Sequence, residues 1–436
     1  MEELFHYTWK HRLFPLKTLT TTDGKLVEVI DPGLLNHDAG PDFFNAKIKI
    51  DGTLWVGNVE LHLKSSQWYL HAHDKDEAYD NIILHVVCEA DMDAYNTKGE
   101  RIPQLVLPIS DNIKANYEYL LKEDKYPRCY KIIPELAKIN IHSWMSALQT
   151  ERLERKTRDI MQKLNDLNGA WEDTYFQTLA RNYGFGVNSD AFEVWAKHIP
   201  LRAVDHHRDN LFQIEAIFFG QAGLLDINTT PKSHREEADK DSYFHELARE
   251  YKYLAHKFSL TPMDAKLWRF LRLRPQNFPY IRLSQLANLY YNRTAGLSQI
   301  LDCKNTAELS KALATQVSEY WQTHYVFGIE SEKNEKHMAK ASIDVLMINT
   351  VIPMLFAYGR YKHNELLVDR ALSLLEELNA EDNNIVRLWR ECGLEVANAG
   401  DSQALIQLKK EYCDKKECLR CRIGYQYLKK PNADNP

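Results

Sequence analysis

The feature that most constrains this chain is a change of hydrophobic period partway along it. Over roughly the first 110 residues, short apolar runs alternate with turn residues: LVEVI, NAKIKI, TLWVGNVELHL, NIILHVVCEA and PQLVLPI. Each run is rich in Val, Ile and Leu, is bounded by turn formers, and reads as a β-strand. Asp51-Gly52 stands between the second and third runs. Both residues tolerate positive φ, as a two-residue hairpin requires. Helical pieces are expected around Glu2–Phe14 and Asp76–Tyr79. From about Asn140 the alternation gives way to helical spacing. Leu367, Ala371, Leu374, Leu375 and Leu378 share one helix face behind an N-capping Asn364. The expected fold is α+β or α/β. A small mixed-sheet domain over residues 1–130 precedes a large all-α domain over 131–436, joined by the Pro127- and Pro134-punctuated linker.

Length agrees, since 436 residues exceed what one hydrophobic core usually covers. With 44% hydrophobic and 27% charged residues the chain is neither disordered nor fibrous. The N-terminus has no apolar stretch followed by a small-residue cleavage site. The apolar run Val345–Tyr358 is interrupted by Asn349 and Pro353 and is short for a membrane span. A cytoplasmic location with no membrane partner is expected. The net charge of −6 gives no global attraction to nucleic acid. Of the seven cysteines four are scattered singly, a pattern of reduced thiols. The polar tail KKPNADNP is expected to fray.

The chemistry concentrates between Gly40 and His85. In GNVELHLKSSQW, period two places Asn58, Glu60, His62 and Lys64 on one strand face, with Val59, Leu61 and Leu63 on the other. Carboxylate, imidazole and ammonium in one row are costly to bury unless paired or metal-bound. The plain alternative is an exposed face with cross-strand ion pairs. Asp42 opens the preceding strand, so the Asp51-Gly52 hairpin would bring it toward Glu60. Two carboxylates there could hold Mg²⁺ or Mn²⁺ and activate water, with Lys64 balancing developing negative charge. His71, His73 and Asp74 follow the strand, and His85 lies within NIILHVV. This set suits Zn²⁺ or Mn²⁺, so a histidine-rich hydrolase competes as a reading, whereas His85 alone fits a hydrogen-bonded sheet histidine.

A proline-aspartate, a hairpin, then an acid followed closely by lysine resembles the PD-(D/E)XK phosphodiesterases, the restriction-endonuclease-like nucleases. The resemblance implies metal ligation by Asp42 and Glu60 and a catalytic Lys64. The family's lysine stands two residues after the acid, where this chain has His62, so either His62 substitutes or Lys64 reaches back. The chain as a whole also resembles a bacterial family known only as a domain of unknown function. That likeness rests on GPDFFNA, GNVELHL, Trp68, His71 and His73, YDNIILHVV, IEAIFFGQAGLL and CLRCRIG.

Cys413, Cys418 and Cys421 form a C-x-x-C knuckle with a third cysteine nearby, a signal for Zn²⁺ or an iron–sulfur cluster. The fourth ligand would come from Cys392, Cys129 or a histidine; the alternative is a packed helix end. Arg269, Arg272, Arg274 and Arg282 interleave with Trp268, Phe270, Phe278 and Tyr280, either to grip a nucleic acid or as a core helix with snorkelling arginines. FGQAGLL reads as close helix packing. The leading functional expectation is a divergent metal-dependent nuclease acting on DNA or RNA. Its rivals are a non-catalytic nucleic-acid or protein binding module and the histidine-rich hydrolase.

Overall fold

All five apolar runs of the N-terminal region form strands in the computed structural model, which describes residues 1–14, 18–36 and 38–431. The end of the polar tail, 432–436, lies outside them. After helix α1 (Glu2–Lys10) come β1 (Leu19–Thr20), β2 (Leu26–Asp31), β3 (Leu34–Leu35), β4 (Phe43–Ile50), β5 (Thr53–Lys64), β6 (Ile82–Glu89) and β7 (Gln104–Val106). The sheet order is β1-β2-β4-β5-β6-β7, with β3 paired to β4. β2, β4 and β5 are antiparallel, while β5–β6 and β6–β7 are parallel. An antiparallel bridge from Thr21 to Leu105 links the two ends, so the mixed sheet curls into a nearly closed barrel. A parallel pair needs a crossover. Between β5 and β6 it consists of α2 (Gln67–Leu70) and two 3₁₀ turns, His73–Lys75 and Glu77–Tyr79. A further helix, α3 (Asp111–Lys122), follows the sheet.

Asp51 and Gly52 sit at φ 50° and 85°, forming the two-residue hairpin. The hairpin register pairs Ile50 with Thr53 and Ala46 with Gly57, then slips to Phe43 with Val59. Asn45, at φ 55°, is the extra residue of this β-bulge. Without the slip Asp42 would stand opposite Leu61, on the wrong face. With it, Asp42 joins the face of Glu60.

The chain divides into two compact units: Met1–Trp144 with Arg387–Leu394 and Leu408–Pro436, and Met145–Val386 with Glu395–Gln407. The division falls inside the helix Lys138–Asp166, later than residue 130, and places the C-terminal cysteines in the first unit rather than with the helices. The physical reason is a capped helix end. Asn116 Nδ2 of α3 donates to the carbonyls of Tyr427, Leu428 and Lys430 at 3.2, 3.2 and 2.8 Å.

The second unit is helical around a continuous apolar core. The Leu367 stripe is buried, and Asn364 accepts from the Leu367 amide. A Cβ on Gly220 would come within 2.0 Å of the Tyr251 ring, so the FGQAGLL helix does pack closely. The arginine–aromatic segment is largely irregular up to the helix Pro279–Asn292. Arg282 is buried there, donating to Asn277 and Gln285 beside the Phe185 ring. The stretch Lys340–Tyr361 is long and apolar enough to cross a membrane, but 67% of its most apolar window is buried in the structure.

Candidate metal centre

Both faces of β5 are buried from Asn58 to His62, so the polar row lies inside the first unit instead of facing solvent. Glu60 is 5% exposed and His62 1%. Two reciprocal bonds lock the row to β4: the Asp42 amide donates to Glu60 Oε2 at 3.1 Å, and the Leu61 amide to Asp42 Oδ2 at 2.9 Å. Asp42 also meets His6 of α1, whose Nε2 stands 3.3 Å from Oδ2.

The crossover delivers the remaining groups. His71 follows α2, and Ala72, at φ 60°, reverses the chain so that His73 turns back toward β5. Trp68 and Tyr79 pack His73 in place, the Tyr79 ring stacking on it at 3.8 Å. The result is a close set of donors. His62 Nε2 lies 3.1 Å from His71 Nδ1 and 3.7 Å from Glu60 Oε1, and His73 Nε2 lies 3.4 Å from the same oxygen. His62, His71 and His73 each offer one nitrogen, all within 4.8 Å of one another. Metal–ligand bonds of about 2.1 Å in tetrahedral geometry separate donors by about 3.4 Å. The observed spacings bracket that value.

Protonation suits ligation. Burial, reinforced by the other imidazoles, pushes His62 down to about 2 and His85 down to about 3, so both are neutral. His62 Nδ1 is 2.9 Å from His85 Nε2. With its proton on Nδ1, His62 donates to His85 and leaves Nε2 free, the usual outer-shell arrangement of a histidine ligand. His73 Nε2 is a buried nitrogen without a hydrogen-bond partner, directed at Glu60 in a geometry poor for a hydrogen bond. Burial, with the Asp42 charge adding to it, raises the Glu60 pKa against the lowering effect of His73. A cation among these donors would remove both tensions.

Asp42, Glu60, His62, His71 and His73 are thus brought together. Lys64 is not among them: it is exposed at the end of β5 and pairs with Glu89 at 3.1 Å. His85 serves His62 from the neighbouring strand, and His6, which no local pattern marks, supports Asp42.

The fold and this cluster define an α+β protein with a largely buried histidine–carboxylate cluster, open to solvent at His71, whose donors have metal-ligand character. Over residues 2–384 the chain matches the family described as protein of unknown function (DUF2851), and it belongs to that family. No curated protein and no solved structure matches it.

Proposed function

We propose that the first unit is a divergent metal-dependent phosphodiesterase acting on DNA or RNA, on a restriction-endonuclease-like variant of the mixed sheet. The observation that carries this reading is the convergence of Glu60 with His62, His71 and His73 beside Asp42. Three imidazoles and a carboxylate favour Mn²⁺ over the all-oxygen Mg²⁺ expected from Asp42 and Glu60 alone. Glu60, His62, His71 and His73 would hold such an ion and would leave room on it for water and substrate. The metal would polarise a phosphoryl oxygen and activate water. Within the chain, Asp42 and the Leu61 amide hold Glu60 in register, His85 orients His62, and exposed His71 marks the solvent side. His62 occupies the place the nuclease resemblance gives to lysine.

The neighbouring cleft points to the substrate class. His6 lies on its wall, and its volume is about 1090 Å³. Lys10, Lys416 and Arg420 line it together with Tyr7, Trp144 and Tyr425. Cations among aromatic rings suit a phosphate backbone with unstacked bases.

The test is cleavage of single- and double-stranded DNA and RNA with Mn²⁺, Mg²⁺ or Zn²⁺. Glu60→Gln keeps the side-chain shape but removes the ligand charge, and should cut the rate on the order of 100-fold. Lys64→Ala, which removes only a surface pair, should stay within a factor of a few. A second reading has its own support. With tetrahedral Zn²⁺ the same four donors fill every position, as in structural sites, and the unit is then a binding module. Stoichiometric zinc with no cleavage under any metal would decide for that module.

A further inference from the structure

Four of the seven cysteines line one small cavity in the first unit, apart from the histidine–carboxylate centre. Cys129 comes from the segment after α3, Cys413 ends the turn Leu408–Cys413, Cys418 opens the turn Cys418–Arg420, and Cys421 precedes the helix Arg422–Lys429. All four are free thiols. The rest of the wall is Leu120, Arg128, Tyr412 and Gly424. Cys88, Cys303 and Cys392 lie elsewhere.

One buried thiol packs as a small hydrophobe. Four from separate segments around one space are a ligand set. The surroundings are built for negative sulfur. Arg128 lines the cavity, its guanidinium fixed by a 2.7 Å bond from Nη1 to the Cys413 carbonyl. The first-turn amides of Ile423 and Gly424 face the Cys421 sulfur. Gly424 permits the fold of the knuckle, because a Cβ there would stand 2.2 Å from the Cys418 carbonyl oxygen.

We propose that Cys129, Cys413, Cys418 and Cys421 hold a metal centre, and that it is an iron–sulfur cluster. The choice of cluster over zinc rests on spacing. One zinc with bonds of about 2.3 Å needs its sulfurs about 3.8 Å apart. Among the described residues no three cysteine sulfurs lie within 4.8 Å of one another, although all four face the same cavity. A cluster of several irons carries its thiolates on separate metals and spreads them wider. The centre would tie the Cys129 segment to the C-terminal turns.

The full-length protein purified without oxygen tests this directly. Iron and acid-labile sulfide should be present in equal amounts, with a visible absorption that dithionite bleaches. Cys129→Ser and Cys418→Ser should each lose at least about tenfold of the iron. Cys392→Ser, outside the cavity, should keep it. Wild-type protein that holds neither iron nor sulfide, even after reconstitution with Fe²⁺ and sulfide, would overturn the centre. One tightly held zinc per chain and no iron would overturn the cluster assignment. Both outcomes are read on the wild type, so they stand even if a variant fails to fold.

Discussion

At the residue scale, Glu60 and its imidazole neighbours pull the protein's pH response in opposite directions. His62 and His85 are held near 2 and 3 by burial, against an ordinary value of 6.5. Below that ordinary value the unfolded chain takes up protons that the folded chain refuses. Their contribution is therefore complete above about pH 6.5 and is lost as the pH falls, by roughly 1.4 kcal/mol per histidine per pH unit. Glu60 has the opposite sign. Its folded pKa is raised above 4.5, chiefly by burial, so its contribution is present below 4.5 and lost as the pH rises through the folded value. Between pH 7.5 and 5.5 the histidines should dominate. Metal-free protein should lose melting temperature over that interval, and His85→Gln should lose less. Parallel curves for the two proteins would mean that His85 does not titrate as its burial requires. Much of this chemistry was legible in the sequence. Period two put Glu60 and His62 on one face, and the spacing around His71 and His73 singled out two imidazoles that do converge on His62. The pairing of Lys64 with Glu89 was not, because the alternation that groups Lys64 with Glu60 does not say where the buried part of the strand ends.

At the scale of elements, the site depends on one residue of register. The hairpin is readable from Asp51-Gly52, but a hairpin alone would set Asp42 opposite Leu61. Only the bulge at Asn45 brings it to the Glu60 face. Nothing in NAKIKI announces that slip, since asparagine tolerates positive φ without demanding it. The requirement can be tested on the backbone. At φ 55°, Asn45→Gly should be accommodated, whereas Asn45→Val should cost about 1–2 kcal/mol in chemical denaturation. The valine variant should also bind Mn²⁺ more weakly, as Asp42 loses its hold on Glu60. Equal stability and equal metal affinity for the two variants would separate the bulge from the site. The crossover histidines pose a similar limit. Their spacing is visible, but the left-handed turn at Ala72 that aims His73 inward is a tertiary outcome. In the helical region the Leu367 stripe was legible because one face is buried. In the arginine–aromatic segment the core-helix alternative is the nearer one, although Arg282 does not snorkel but finds its partners, Asn277 and Gln285, inside the core.

At the scale of the molecule, the net charge of −6 sets a condition that a nucleic-acid enzyme must escape locally. The cleft beside His6 does so. Lys10, Lys415, Lys416, Arg420 and Arg422 line it against Glu3 and Glu417. Two of these cations are already paired with carboxylates, Lys415 with Glu411 and Arg420 with Glu417, which leaves Lys10, Lys416 and Arg422. About three phosphates is therefore the number the cleft can neutralise, which gives a slope of log Kobs against log[salt] of about −2 for a single strand and about −3 for a duplex. Binding of a fluorescent oligonucleotide to the Glu60→Gln protein, which leaves the ligand uncut, should weaken on the order of 20- to 50-fold between about 50 and 200 mM salt. Lys416→Ala and Arg422→Ala should each reduce the slope by about one while leaving sequence preference unchanged. The aromatic walls make a different contribution. Tyr425→Ala should weaken a single strand by about 1–3 kcal/mol without altering the salt slope, because stacking involves no counterion release. A salt-independent interaction, or one indifferent to Lys416 and Arg422, would place any nucleic acid elsewhere on the molecule and leave the candidate centre without its proposed substrate.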